Sequence, residues 1–192
     1  EGLNLSFRVE PTKVRVIIPP AGSQAGIIKV YNHSSDNIQI KVYLEDWVYT
    51  ATQDGSKDFF PAKNTPLSCV DWITFNPSEF TLPPHGVENI NYVTRVPADA
   101  KGGHYSVMFF QTSILKETIA GQIPQAEEMK AGAFLNVRLG VLFYVEAKGT
   151  VNRLAQLSKL SVSKNEKNNY LFVTFNFKNT GNVDITAGGN FN

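Results

Sequence analysis

Apolar and polar residues alternate most regularly between positions 133 and 146. Every second residue of that stretch is large and apolar, namely Leu135, Val137, Leu139, Val141 and Phe143. A β-strand places residues with this spacing on one face. The alternation continues beyond the length of an ordinary strand, which is about five or six residues. We therefore expect one long strand here, with the rest of the fold arranged around it.

The same alternation predicts shorter strands earlier in the chain. The first, residues 3–9, is separated by Pro11 from a second extended segment, residues 13–18. Because proline interrupts a hydrogen-bond ladder, a first strand broken in this way can change partners between two sheets. Further strands are predicted at residues 27–32, 38–44, 70–75, 87–96 and 104–111.

Polar segments rich in turn residues separate these strands. Residues 50–66 are predicted to form a loop, and residues 113–132 a long connection that contains one helical turn near residues 125–130. About seven or eight strands at roughly ten-residue spacing favour an all-β, immunoglobulin-like β-sandwich. We assign residues 1–148 to this sandwich, and a β-barrel is the alternative.

A second series of strands begins after a polar connector at residues 149–158. Three strands are predicted, at residues 159–162, 170–178 and 183–186. Three strands are too few for a sandwich. Residues 149–192 are therefore expected to be a connector and an incomplete second β-sandwich domain.

Composition narrows the class of protein. Apolar residues make up 42% and charged residues 18%, which is typical of a folded globular chain. The formal charge is +1 and the basic residues are scattered, which argues against a nucleic-acid partner. Cys69 is the only cysteine, so an internal disulfide is excluded. No apolar run approaches the roughly 20 residues of a membrane-spanning helix.

The chain begins at Glu1 rather than at a methionine, which suggests a processed precursor. Together with the single cysteine and the low charge, this favours an exported protein of a bacterial envelope, periplasmic or at the cell surface.

The residues that carry chemistry do not form a catalytic pattern. His33 and His85 fall in predicted turns and His104 opens a strand, without the spacing of metal ligands. The adjacent carboxylates Glu45 and Asp46 lie on one predicted strand, where neighbours point to opposite faces. We therefore expect no enzyme activity, no metal and no cofactor. Trp47 and Trp72 are expected in the core rather than in a carbohydrate site.

The order of several short motifs resembles the amino-terminal domain of the periplasmic pilus chaperones, the PapD-like family. The resemblance covers roughly residues 5–148. The motifs that carry it are Pro11-Thr12-Lys13-Val14-Arg15-Val16, Val30-Tyr31-Asn32, residues 40–47, Phe80-Thr81-Leu82-Pro83-Pro84-His85-Gly86, residues 105–110 and Val141-Leu142-Phe143-Tyr144.

This resemblance implies a PapD-like sandwich whose last strand is added to an incomplete partner subunit, and chaperone–pilin complexes are a known case of such strand addition. The implied partner-binding residues are Leu135, Val137, Leu139, Val141 and Phe143. The family also holds its client's terminal carboxylate with two basic residues. The candidates here are Lys13 or Arg15 on the first strand and Arg138 on the last, although Arg138 is out of register with the family pattern.

Two readings follow from these observations. The first is a non-enzymatic, chaperone-like module that binds a protein partner, such as a pilus or envelope subunit, by strand addition. The alternative is a structural or adhesive cell-surface module, in which the same strand is paired only inside its own sandwich. The sequence leaves the client and the oligomeric state open.

Overall fold

The computed structural model describes residues 7–50, 52, 55–117, 132–164 and 170–186, and for residues 113–117 and 132–136 it describes the backbone alone. Within these residues the secondary structure consists of strands and one short turn of 3₁₀ helix. The strands form two sheets that pack face to face and a separate two-stranded sheet.

The first sheet has four antiparallel strands. Their order is β1 (Phe7–Glu10), β3 (Ser23–Asn32), β8 (Val87–Arg95) and β6 (Ile73–Asn76). The second sheet has six strands. Their order is β2 (Lys13–Ile18), β10 (Gly132–Ala147), β9 (Gly102–Glu117), β4 (Ile38–Tyr49) and β5 (Lys57–Phe60), with β7 (Glu79–Leu82) also paired to β4.

The core lies between the two sheets because each strand turns its apolar residues inward. Ile28, Val30 and Ile90 contribute from the first sheet, and Phe110 and Phe143 from the second, all fully buried. Alternation with polar neighbours places these residues on one face of each strand. This arrangement is the predicted immunoglobulin-like sandwich.

The first strand changes sheets at Pro11, as predicted. β1 pairs with β3 in the first sheet, and β2 pairs with β10 in the second, in parallel. Pro11 and Thr12 form the short break between them. Because proline has no N–H to donate, the ladder ends there and the chain crosses to the other sheet.

Four details differ from the sequence predictions. The loop predicted at residues 50–66 contains β5, which pairs with the end of β4. Residues Val70–Trp72 form the 3₁₀ turn, so the strand predicted at 70–75 starts only at Ile73. The strand predicted at 183–186 is irregular chain. The connection predicted at 113–132 is shorter, because β9 and β10 extend into it, and the predicted helical turn lies outside the described residues.

The two-stranded sheet is a hairpin of β11 (Ala155–Lys164) and β12 (Leu171–Asn179). Leu157 faces Phe177 across the strands, and Val162 faces Val173. A bulge between Ser158 and Ser161, where Lys159 has a φ of 56°, shifts the alternation by one residue and keeps these pairs on the same face. The hairpin is therefore apolar on one face and mostly polar on the other.

The apolar face of the hairpin is only partly covered by the described residues. Val173 is half-buried, and the other large side chains of this face are 38–70% exposed, namely Leu157, Leu160, Val162, Leu171, Phe175 and Phe177. A contiguous exposed apolar face of this kind is unusual for a monomeric soluble protein.

Candidate functional site

β10 has different neighbours along its two edges. One edge pairs with β9 over the whole strand, from Gly132 opposite Glu117 to Ala147 opposite Gly102. The other edge pairs with β2 only from Leu142 to Ala147. Residues 132–141 thus have no partner strand on that side among the described residues. We call this stretch the open edge, and it is roughly 30 Å long at about 3.3 Å per residue.

The hydrogen-bonding groups of the open edge can be assigned from one bond. The N–H of Leu142 donates to the carbonyl oxygen of Thr12 at 3.1 Å, so Leu142 points its backbone groups toward β2. Backbone direction alternates along a strand. The N–H and C=O groups of Asn136, Arg138 and Gly140 therefore point to the open edge, and those of Val137 point to β9.

The five apolar residues predicted for partner binding lie in two environments. Val141 and Phe143 are fully buried in the sandwich core. Leu139 packs against that core and is half-buried, as is Val137. Leu135 lies in β10 opposite Ile114, and its side chain is outside the described part of the chain. Burial therefore decreases from Phe143 toward the start of the strand.

The start of β10 and the end of β9 form a ribbon. The pairing of β4 with β9 ends at Gln111, whereas β9 continues to Glu117 beside β10. In this ribbon the two strands pair only with each other, as far as the described residues go. An isolated pair of strands is marginally stable in water. Its unpaired edges are a template for another strand.

Lys13 and Arg15, the two alternatives predicted for the anchor on the first strand, lie beside the same residue of β10. Lys13 and Arg15 lie opposite Leu142 and Tyr144 in the parallel pairing of β2 with β10. Both cations stand over the ring of Tyr144, with Lys13 Nζ 5.2 Å and Arg15 Cζ 4.1 Å from its centroid. Burial raises the pKa of the Tyr144 hydroxyl far above its usual value, so this ring stays neutral beneath the two cations.

Arg15 is also bound by carboxylates of its own chain. Its Nη2 lies 2.5 Å from Asp184 Oδ2, and its Nη1 lies 3.9 Å from Glu146 Oε1. The hydrogen bond to Asp184 raises the pKa of Arg15, with burial acting in the opposite direction. By contrast, Lys13 is exposed, and no ion pair to it occurs within the described residues.

Arg138 does not join this group. It lies six residues before Tyr144 on the same face of β10, which separates the two by roughly 20 Å. Its Nη1 is 3.3 Å from Glu45 Oε2, and its guanidinium is 4.2 Å from the centroid of Phe109. Arg138 therefore belongs to a separate contact between β10 and β4.

Tyr144 is part of an aromatic cluster on the outer face of the six-stranded sheet. Trp47, which is 1% exposed, lies 5.0 Å from Tyr144 and 5.1 Å from Tyr105, measured between ring centroids. Its indole N–H donates to the carbonyl oxygen of Ser106. Trp47 is therefore buried as predicted, but outside the two sheets rather than between them.

A cleft of about 1100 Å³ separates the sandwich from the hairpin. Tyr49, Leu67 and Tyr105 line it on one side, and Phe175 and Phe177 on the other. Sequence reasoning missed Asp184 and Tyr105, which meet beside this cleft. They are 79 positions apart, so no local pattern indicated their contact.

The remaining features of the chain concern metal ligands, membrane-spanning helices and the three histidines. No group of three or more histidine, cysteine, aspartate or glutamate side chains among them is arranged to hold a metal ion. No helix in the described part of the chain is long and apolar enough to cross a membrane. His33 and His85 lie exposed in turns, and the His104 ring contacts Trp72 at a tilt of 43°, with 4.1 Å between the ring centroids.

Comparisons with known proteins bear on the fold. No family model matches the chain, and no curated protein matches it. Among solved structures, the class 5 fimbriae chaperone CfaA is similar at a TM-score of 0.52 and 16% identity, over 93% of this chain and 68% of that one. A chain from a chaperone–tip adhesin complex of CFA/I fimbriae biogenesis has a TM-score of 0.50 and 17% identity, over 93% and 68%.

A PapD-like domain of human CEP192 is also similar, with a TM-score of 0.47 and 12% identity over 73% of this chain and 84% of that domain. The similarity to CfaA shows the fold alone, and the chain therefore has the PapD-like immunoglobulin fold predicted from its sequence.

Proposed function

We propose that this chain is a non-enzymatic, exported protein-binding module, periplasmic or at the cell surface, whose strand β10 is added to the sheet of a partner protein. The observation that carries the proposal is the open edge at residues 132–141, next to a continuous ladder with β9. Unpaired N–H and C=O groups on such an edge are the groups that strand addition uses. The similarity in fold to a fimbrial chaperone supports the same proposal.

The side chains of β10 divide between the two proteins in this proposal. Leu135, Val137 and Leu139 would fill an apolar gap in the partner, because a strand bound at the open edge lies beside them. Val141 and Phe143 are fully buried in the chain's own core. These two residues would hold the strand in place while its first half is shared.

Lys13 is the basic residue that we propose as carboxylate anchor. A strand bound along residues 132–141 lies in line with β2, so its nearer end approaches the first residue of β2, Lys13. If the bound strand runs parallel to β10, that end is the one that leads to its carboxyl terminus. An exposed ammonium group over the neutral Tyr144 ring is suited to hold a carboxylate there.

Proline substitution at the open edge tests the strand addition. Asn136→Pro removes an N–H that points to the open edge and leaves the ladder with β9 intact. We expect this variant to lose capture of the partner from envelope extract, while the matched control Asn136→Ala retains it. In the complex of the unaltered protein, the amides of Arg138 and Gly140 should exchange hydrogen more slowly than in the unbound protein.

Two results would contradict the proposal. One is equal capture of the same partner by Asn136→Pro and Asn136→Ala. The other is a complex in which the amides of Arg138 and Gly140 exchange as fast as before, which would favour the structural or adhesive alternative. Lys13→Gln should weaken capture of the partner, and Lys29→Gln on the other sheet is its control. Equal capture by these two variants would contradict only the proposal that Lys13 is the carboxylate anchor.

We also propose that residues 149–192 are a connector and the first part of a second β-sandwich. The one-sided apolar face of β11 and β12 supports this, because such a face needs a second sheet to cover it. In the protein isolated from its natural source, we expect the amides of both strands to be protected from exchange. Rapid exchange throughout the hairpin would speak against a second sandwich.

A further inference from the structure

The segment Asn182–Asp184 lies directly on the first residues of β9. The N–H of Gly103 donates to the carbonyl oxygen of Asn182 at 2.8 Å, and Val183 is only 4% exposed. A Cβ atom on Gly102 would lie 2.4 Å from the same carbonyl oxygen, and one on Gly103 would lie 2.9 Å from Val183 Cγ2. The two glycines therefore leave the space that this segment occupies.

Further hydrogen bonds hold the segment to the connector. The N–H of Asn182 donates to the carbonyl oxygen of Asn152 at 3.0 Å. The side chain of Asn182 accepts from the N–H of Asn152 at 2.6 Å and donates to the carbonyl oxygen of Thr150 at 3.0 Å. This part of the chain is therefore fixed in place although it has no regular secondary structure.

Asp184 ends the segment and binds Arg15 with both carboxylate oxygens. Arg15 Nη2 donates to Oδ2 at 2.5 Å, and Nη1 donates to Oδ1 at 3.3 Å. The N–H of Asp184 also donates to the Tyr105 hydroxyl at 2.7 Å. The Asp184 side chain is 8% exposed, whereas that of Arg15 is 44% exposed.

Two further side chains of the sandwich lie against the Arg15 guanidinium, which is otherwise exposed. The Tyr144 ring lies beneath it, and Glu146 lies beside it, where Glu146 also binds Arg153 Nη2 at 2.5 Å. A guanidinium recognises a carboxylate best through two parallel N–H groups. Asp184 already takes two of them.

We propose that Asp184 is an internal carboxylate ligand of Arg15, which clasps residues 182–184 to the sandwich and withholds Arg15 from external carboxylates. The clasp is a contact of the chain with itself, so it stands whether or not β10 binds a partner strand. It joins the connector and the residues that follow the hairpin to β2, which begins where the open edge ends, and to the start of β9.

The pair Arg138–Glu45 is a matched control. Arg138 is also 44% exposed, lies over an aromatic ring at a similar distance and contacts one carboxylate, Glu45 of β4, across the intervening strand β9. That pair lies within one sheet and does not connect to residues 182–184. Removing Glu45 should therefore leave the clasp unchanged.

The test compares Asp184→Asn with Glu45→Gln by nuclear magnetic resonance. In Asp184→Asn we expect the Gly103 amide to exchange hydrogen roughly tenfold faster or more, because a charged, partly buried partner is lost. On titration with sodium acetate, the Arg15 Nε–H signal should move several-fold further in Asp184→Asn than in the unaltered protein. Glu45→Gln should match the unaltered protein in both measurements.

Either of two results would overturn the clasp. The first is an exchange rate at Gly103 that is unchanged in both Asp184→Asn and Arg15→Gln. Arg15→Gln removes the other partner of the same contact, so the result does not depend on the folding of one variant alone. The other is an Arg15 signal that responds to acetate equally with and without Asp184. Neither measurement involves a partner protein, so its failure is separate from a failure of the proposed strand addition.

Discussion

The two halves of β10 have the same alternating pattern and different surroundings. Residues 142–147 lie between β9 and β2, with Phe143 and Val145 fully buried. Residues 132–141 have β9 on one side and an open edge on the other. The difference arises from Pro11, because the chain before it pairs with the other sheet instead of continuing beside β10.

This comparison separates two roles of one strand. The second half stabilises the sandwich through buried apolar area on one face and hydrogen bonds on both edges. Among the described residues, the first half has a ladder on one edge only, and Val137 and Leu139 are less buried than Val141 and Phe143. A strand can therefore be anchored firmly and still present unpaired backbone groups, which is what the proposed strand addition requires.

The largest expected effect is on folding stability, from Phe143→Ala in the second half. Phe143 is fully buried, and truncation of a buried phenylalanine costs about 3–5 kcal/mol in free energy of unfolding. Val137→Ala, in the half-buried first half, should cost about 1 kcal/mol or less by the same principle. Urea denaturation followed by tryptophan fluorescence measures both. Equal costs would show that the two halves are packed alike.

A smaller effect on the free energy of unfolding should distinguish proline substitutions at the neighbouring positions 136 and 137, in the first half of β10. Val137→Pro removes an N–H that donates toward β9, and an unmade buried hydrogen bond costs about 1–3 kcal/mol. Asn136→Pro removes an N–H of the open edge and should change the free energy of unfolding much less. Denaturation of the two variants gives the difference. Similar losses in free energy of unfolding would mean that a different set of β10 residues makes the hydrogen bonds to β9.

The smallest expected effect is on the rate at which the Cys69 thiol is alkylated, which depends on how often the core opens. Cys69 is fully buried and its Sγ donates to Ser106 Oγ at 3.2 Å. Burial raises the pKa of its thiol from 9.0 to about 12, so the folded protein should resist alkylation by iodoacetamide at pH 8. Asn136→Pro should leave the labelling rate unchanged, whereas Phe143→Ala should raise it. Mass spectrometry of the labelled protein measures the rate.

The sign of the accompanying pH dependence follows from the same shift. The thiol is harder to ionise in the folded than in the unfolded chain. Its contribution to stability is therefore present below pH 9 and is lost as the pH rises from 9 toward 12.

Much of the sandwich could be predicted from local patterns. Alternation identified β2, β4, β8 and β10, and Pro11 indicated the change of sheets, because these features depend on neighbouring residues. β5 was missed, since residues 57–60 lack the alternation of a half-buried strand and pair with β4 on an exposed edge. The strand predicted at 183–186 is wrong for a different reason. Val183 is buried against β9, but it does not pair with a neighbouring strand.

The sequence by itself determined that residues 133–146 form a strand with one apolar face, because side-chain direction repeats every two residues. It also supplied the basic residues Lys13, Arg15 and Arg138. Only the tertiary structure decided which part of that strand has an open edge and which of those residues meet. Arg15 binds Asp184 across 169 positions, and Arg138 binds Glu45 across 93. Contacts of that separation depend on how the sheets pack and on the path of the connector, and no local pattern encodes them.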